Sequence, residues 1–129
     1  MLNRQSGSAR PLRIAAAALL LVAGATLLAQ SKREFTVSAS RYAYRVDDAP
    51  RPVIRVRKDD VVGVTFSAED IPHSFTIDEY RISRRAEPGK PVSFEFHANR
   101  AGEFRIYCNL AIDDRCLREL AGVLIVEDR

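Results

Sequence analysis

The chain has 129 residues, room for one domain, with 20 Lys and Arg against 17 Asp and Glu and a net charge of +3. The whole excess lies in Arg4, Arg10 and Arg13, and the 17 basic residues beyond Ala29 balance the 17 acidic ones. No basic run with interleaved aromatic residues occurs, which argues against a nucleic-acid partner.

Residues 1–29 differ from the rest. "MLNRQSGSARPLR" is basic, and "IAAAALLLVAGATLLA" over residues 14–29 carries no charge. Basic start, apolar middle and small residues at the end are the layout of a secretory signal. Ala23-Gly24-Ala25 fits a cleavage site, with Leu27-Leu28-Ala29 a looser second choice. The run falls between a signal core and the roughly 20 residues of a membrane span. Residues 1–29 are therefore either a cleaved signal peptide or an N-terminal hydrophobic anchor helix. Both place the rest of the chain in the periplasm or another extracytoplasmic space, because the basic flank stays inside. No lipid-acceptor cysteine follows the run.

Residues 30–33, "QSKR", read as a short linker, and residues 34–129 as one domain. From there the pattern has period two, the mark of half-buried strands. "EFTVSAS" sets Phe35 and Val37 on one face, and "VIRVRKDD" sets Ile54 and Val56 inward with Arg55 and Arg57 outward. "VVGVTFSA" aligns Val62, Val64 and Phe66; "HSFTIDEY" aligns Phe75 and Ile77. "PVSFEFHA" aligns Val92, Phe94 and Phe96; "EFRIYC" aligns Phe104, Ile106 and Cys108. "GVLIVED" closes the chain as a buried strand, and "DDRCLREL" is the one helical candidate. Turn signals separate these runs: "DDAPRP", "KDD", "SAEDIP", "EPGKP" and "NRAGE". Short strands with regular turns predict an all-β sandwich or barrel. Arg41, Arg45, Arg51, Arg55, Arg57 and Lys58 read as solvated strand faces.

A domain of about 100 residues buries a modest core and often needs a staple. Cys108 and Cys116 are the two cysteines, and in an oxidising compartment they supply either a disulfide or metal ligands. Of the two histidines, His97 has the parity opposite to Phe94 and Phe96 and points outward. His73 opens a strand with the parity of Phe75 and Ile77. His73 and Cys108 are thus inward residues at strand ends, and imidazole with thiolate suits copper or zinc. Structural zinc wants four N or S ligands, and three are in view. A cysteine nucleophile with His73 as base would need an orienting third group, and no nucleophile signature is present. An enzyme is therefore not the expectation.

"RVRKDDVVGVTF", "EDIPHSFTI", "PGKPVSFEF" and "AGEFRIYC" together resemble the cupredoxin family. The resemblance is strongest to the copper-A domain of cytochrome oxidase subunit II and its small periplasmic relatives, over residues 35–127. It implies a Greek-key β-sandwich with His73 as a histidine ligand and Cys108 as the thiolate. The departure is in the loop before "AGVLIV". Cys116 falls near the family's second histidine and Leu120 at its axial methionine. The copper-A pattern C-x-x-x-C-G-x-x-H-x-x-M is not met, so a binuclear centre is not expected.

Two readings stay open. His73, Cys108 and Cys116 bind one copper ion, with Glu119, Asp113 or Asp114 as candidate fourth donors. The resemblance then implies one-electron transfer with a respiratory redox protein, or Cu(I) carriage with a copper-trafficking partner. Alternatively Cys108 and Cys116 close a disulfide, and the domain is a metal-free interaction or structural module. A switch between bridge and bound copper would combine the two.

Overall fold

The computed structural model describes residue 7 and residues 31–41, 43–49, 51–111, 114–119 and 121–128. The expected signal or anchor, residues 1–29, lies outside these apart from Gly7, as do Asp113 and Leu120 and the side chains of Asp114 and Glu119. Among the described residues, no helix is long and apolar enough to cross a membrane.

The described residues form strands β1 (Lys32–Ser40), β2 (Ala43–Val46), β3 (Val53–Arg57), β4 (Val61–Ala68), β5 (His73–Ile77), β6 (Ile82–Ala86), β7 (Val92–His97), β8 (Gly102–Tyr107) and β9 (Ala121–Glu127). A 3-10 turn, Asp78–Tyr80, follows β5, and one short helix, α1 (Asp114–Glu119), precedes β9. One sheet has the order β2-β1-β4-β7 and the other β3-β9-β8-β5-β6. The β1–β4 and β3–β9 pairs are parallel; the other ladders are antiparallel. The expected all-β sandwich is thus observed.

The alternation explains which side chains meet between the sheets. Ile54, Val56, Val62, Val64, Phe66, Phe75, Ile77, Phe104, Ile106, Leu124 and Val126 are all buried. Successive strand residues face opposite ways, so each inward set brings an outward polar set with it. Tyr44, Phe66, Phe75 and Phe94 form a chain of tilted ring contacts across the core, with centroids 6.2, 5.8 and 5.3 Å apart. Val92, Phe94 and Phe96 are only half-buried, because β7 is an edge strand.

Three points differ from the sequence reading. The linker expected over residues 30–33 is cut short: β1 starts at Lys32, where Lys32 pairs with Val61 and Arg33 with Val62. Strand β2 was hidden in a turn-rich stretch, although Tyr44 and Val46 alternate inward. Strand β6 has no apolar alternation at all. Only Ile82 and Ala86 are buried, and Arg84 at the inward parity reaches over the Phe94 ring instead.

The ladders fix two poles. Lys32, Val61 and His97 share one register line at the first pole. There the buried carboxylate of Asp60 accepts from the Ser31 hydroxyl at 2.5 Å and the Arg57 amide at 2.9 Å. Strands β1, β4 and β8 end at the other pole, where β5 and β9 begin. His73, Cys108 and Cys116 gather there.

Candidate metal centre

His73 opens β5 and is fully buried, as is Cys108 just past the end of β8. Cys116 sits in α1, turned inward and 2% exposed, while Arg115, Leu117 and Arg118 around it are exposed. The helical turn expected over "DDRCLREL" is therefore present, and its function in the fold is to return Cys116 to the pole. One donor atom from each of His73, Cys108 and Cys116 lies within 4.8 Å of the others. The structure brings together all three residues singled out from the sequence. His97 is not among them: it is exposed at the far pole, 3.7 Å from Asp59.

The sulfurs of Cys108 and Cys116 are bonded to each other in a disulfide, with a Cα–Cα distance of 5.3 Å. The described residues hold no free cysteine. The structure is thus that of the oxidised pair.

The histidine ring is oriented by Asp70, a residue the sequence reading passed over. Asp70 Oδ1 lies 2.7 Å from His73 Nε2. The same carboxylate accepts from the backbone N–H of Arg41 at 2.7 Å and of Ile71 at 2.8 Å. Partial burial pushes the Asp70 carboxyl up, but the hydrogen bonds from Arg41, His73 and Ile71 outweigh it and hold it below its ordinary value. An ionised carboxylate only accepts, so Nε2 carries the hydrogen, and in the neutral imidazole Nδ1 presents a lone pair. That Nδ1 is buried and has no hydrogen-bond partner. A buried polar atom left unsatisfied costs about 1–3 kcal/mol and calls for an explanation. A histidine whose far nitrogen is fixed by a carboxylate is also the usual arrangement of a metal ligand.

The backbone next to His73 is held as firmly. The buried hydroxyl of Tyr44 donates to the Ser74 carbonyl at 2.5 Å. Burial raises the Tyr44 phenol far above the ordinary tyrosine value, so the group stays a donor. The signal for Asp70 was its place three residues before His73 in a turn. Nothing in the sequence marked Tyr44.

Once reduced, the two sulfurs would join the imidazole as donors of the kind that copper and zinc prefer, and the unpartnered Nδ1 would be open to a third position.

No protein-family model matches the chain, and no curated protein matches it. Solved structures do. A heme-copper terminal oxidase chain matches with TM-score 0.69 and 17% identity, over 77% of this chain and 66% of that one. The periplasmic domain of subunit II of cytochrome oxidase of Bradyrhizobium japonicum matches with TM-score 0.60 and 17% identity, over 74% and 83%. A subunit II domain in a mixed disulfide intermediate with a thioredoxin-like protein matches with the same TM-score and identity. Auracyanin A, a blue copper protein of Chloroflexus aurantiacus, matches with TM-score 0.60 and 11% identity, over 75% of this chain and all of that one. The chain has a cupredoxin-like fold and resembles the copper-A type of domain.

Proposed function

We propose that this cupredoxin-like domain is an extracytoplasmic copper-binding module. Its ligands are His73 Nδ1 and the thiolates of Cys108 and Cys116, and it holds one ion once the disulfide is reduced. The observation that carries the reading is the buried Nδ1 without a hydrogen-bond partner, on a ring that has a nitrogen within 4.8 Å of the two sulfurs. Copper bound there would supply one-electron redox chemistry or serve as Cu(I) cargo. Two thiolates and one imidazole favour the cuprous ion, so Cu(I) handling is the form the donor set supports best. One-electron transfer with a respiratory redox protein is the form the oxidase likeness supports.

The chain's own residues do three things in this reading. Asp70 orients the ring and keeps Nδ1 free to donate. Burial in the core keeps water from the three donors, since His73 and Cys108 are 0% exposed and Cys116 2%. The cysteine pair sets whether the site exists. A bridged sulfur lacks the thiolate charge that a metal needs, so a dithiol reductant must act first. In that exchange two electrons and two protons pass from the reductant, the Cys108–Cys116 bond breaks, and the reductant closes its own disulfide. A thioredoxin-like protein is the class of partner that supplies this, and the mixed disulfide found for a subunit II domain supports it.

The disulfide itself favours a second reading, a metal-free module closed by the Cys108–Cys116 bridge. Copper retention separates the two. The protein is reduced, loaded with Cu(I) without oxygen, freed of excess metal and assayed for copper per chain. One equivalent in the reduced form, none in the oxidised form and loss on His73→Ala is the expected result. Strong visible absorption after oxidation of the loaded protein assigns electron transfer, and a colourless, exchangeable ion assigns Cu(I) handling. A reduced wild-type protein that retains no copper leaves only the disulfide module.

A further inference from the structure

His73 and Cys108 lie on different strands, and the ladder between those strands is weak where it matters. β5 and β8 are neighbours in the sheet, yet the paired residues there are Thr76 and Tyr107 alone. Continuing that antiparallel register sets Phe75 opposite Cys108 and Ser74 opposite Asn109. This register keeps Cys108 on the inward face with His73. A slip of one residue would turn Cys108 outward and dismantle the site.

Side chains take over from the ladder at this point. The Asn109 backbone N–H donates to Ser74 Oγ at 2.8 Å, and the Ser74 hydroxyl donates back to Asn109 Oδ1 at 2.7 Å. Asn109 Nδ2 donates to Ser83 Oγ on β6 at 3.0 Å. Ser74 follows His73 in sequence, and Asn109 follows Cys108. The two residues bonded to each other are therefore the immediate neighbours of two donors. Ser74 is 1% exposed, so its hydroxyl has no solvent to fall back on.

We propose that Ser74 and Asn109 are positioning residues of the metal centre. Their reciprocal hydrogen bonds hold β5 and β8 in the register that keeps the Cys108 sulfur beside His73, whether or not Cys108 is bridged to Cys116. Ser83 steadies the Asn109 amide from the third strand. The proposal rests on the copper reading for its consequence, not for its geometry.

The test uses the full chain, reduced and metal-free, as wild type, Asn109→Ala, Ser74→Ala and Ser83→Ala. Two quantities are measured: the rate at which each thiol is alkylated, resolved by mass spectrometry, and Cu(I) affinity against a chromophoric Cu(I) chelator. Asn109→Ala and Ser74→Ala are expected to speed alkylation of Cys108 about tenfold and to weaken Cu(I) binding about tenfold, the scale of one or two hydrogen bonds. Cys116 alkylation should change little. Ser83→Ala, which removes one outer bond and leaves the reciprocal pair, should show a smaller effect and keeps the test open if the inner variants fold poorly. Equal loss of thermal stability in all three variants, with Cys108 protected as in wild type, overturns the proposal. Failure of wild type to bind Cu(I) defeats the copper reading alone, because the alkylation pattern still reports on the register.

Discussion

Asp70 Oδ1 lies 2.7 Å from His73 Nε2, and this contact occupies one ring nitrogen and leaves the other, Nδ1, without a partner. The carboxylate is itself held by two backbone amides, so the ring is braced against the loop between β1 and β2 as well as its own turn. Asp70→Ala removes the brace and leaves a second buried ring nitrogen without a partner. The expected loss is about 1–3 kcal/mol of stability in the oxidised protein. Cu(I) affinity of the reduced protein should fall roughly 10–100-fold, as for other partners of metal-bound histidines. Chemical denaturation and chelator competition measure the two separately.

The same carboxylate gives the acid limb of stability a specific source. Its folded-state value lies below the ordinary 3.8, because the Arg41, His73 and Ile71 hydrogen bonds outweigh the effect of burial. A group lowered on folding stabilises the native state above its unfolded value, and that contribution is lost as pH falls through the folded value. Wild type should therefore exceed Asp70→Asn in stability at neutral pH, and the gap should close below 3.8. Urea unfolding of both oxidised proteins between roughly pH 2 and 6 checks this, the other carboxylates cancelling in the comparison.

Gly122, near the start of β9, tests how tightly the pole is packed. A Cβ placed there would lie 2.9 Å from the Pro52 carbonyl oxygen and 3.2 Å from Pro52 Cβ. That carbonyl is fixed, since it accepts from the Val123 amide at 2.9 Å. Gly122→Ala must then push β9 away from the start of β3, at a cost of about 1–3 kcal/mol. Because β9 follows α1 directly, Cys116 is carried with it. A lower Tm, together with faster reduction of the Cys108–Cys116 bond by a dithiol, is the expected outcome.

How much of this was legible in the sequence depends on the kind of signal. Inward residues such as Ile54, Val64, Phe75 and Ile106 were read correctly because period-two burial follows from strand geometry alone. Strand β6 was not, because its core contribution is Ile82 and Ala86 with three exposed residues between them, and an edge strand needs no more. The convergence of His73 and Cys108 was legible from parity and strand ends, and that of Cys116 only from the resemblance of its loop to a cupredoxin ligand loop. The choice between bridge and ion was not, because cysteines close enough to share an ion are close enough to bond. Asp70, Ser74 and Asn109 were silent for a different reason. Their roles depend on hydrogen-bond geometry across 3 to 35 positions of sequence, which composition and periodicity do not encode.

The disulfide and the proposed ion should be nearly interchangeable as staples. The bridge spans eight positions, and closing so short a loop stabilises by about 2–3 kcal/mol. Reduction without metal should cost that amount, visible as a lower midpoint in urea. Free Cu(I) at about 100 times its dissociation constant would return roughly 2.7 kcal/mol by mass action. The midpoint of the reduced, copper-loaded protein should thus come back close to that of the oxidised one. His73→Ala should keep the gain from the bridge and lose most of the gain from copper, since only the second uses Nδ1. A Cys108→Ala, Cys116→Ala double variant should behave like the reduced metal-free protein and respond to neither oxidant nor Cu(I). If copper raised the midpoint of that variant as much as that of the reduced wild type, the ion would be binding elsewhere on the chain.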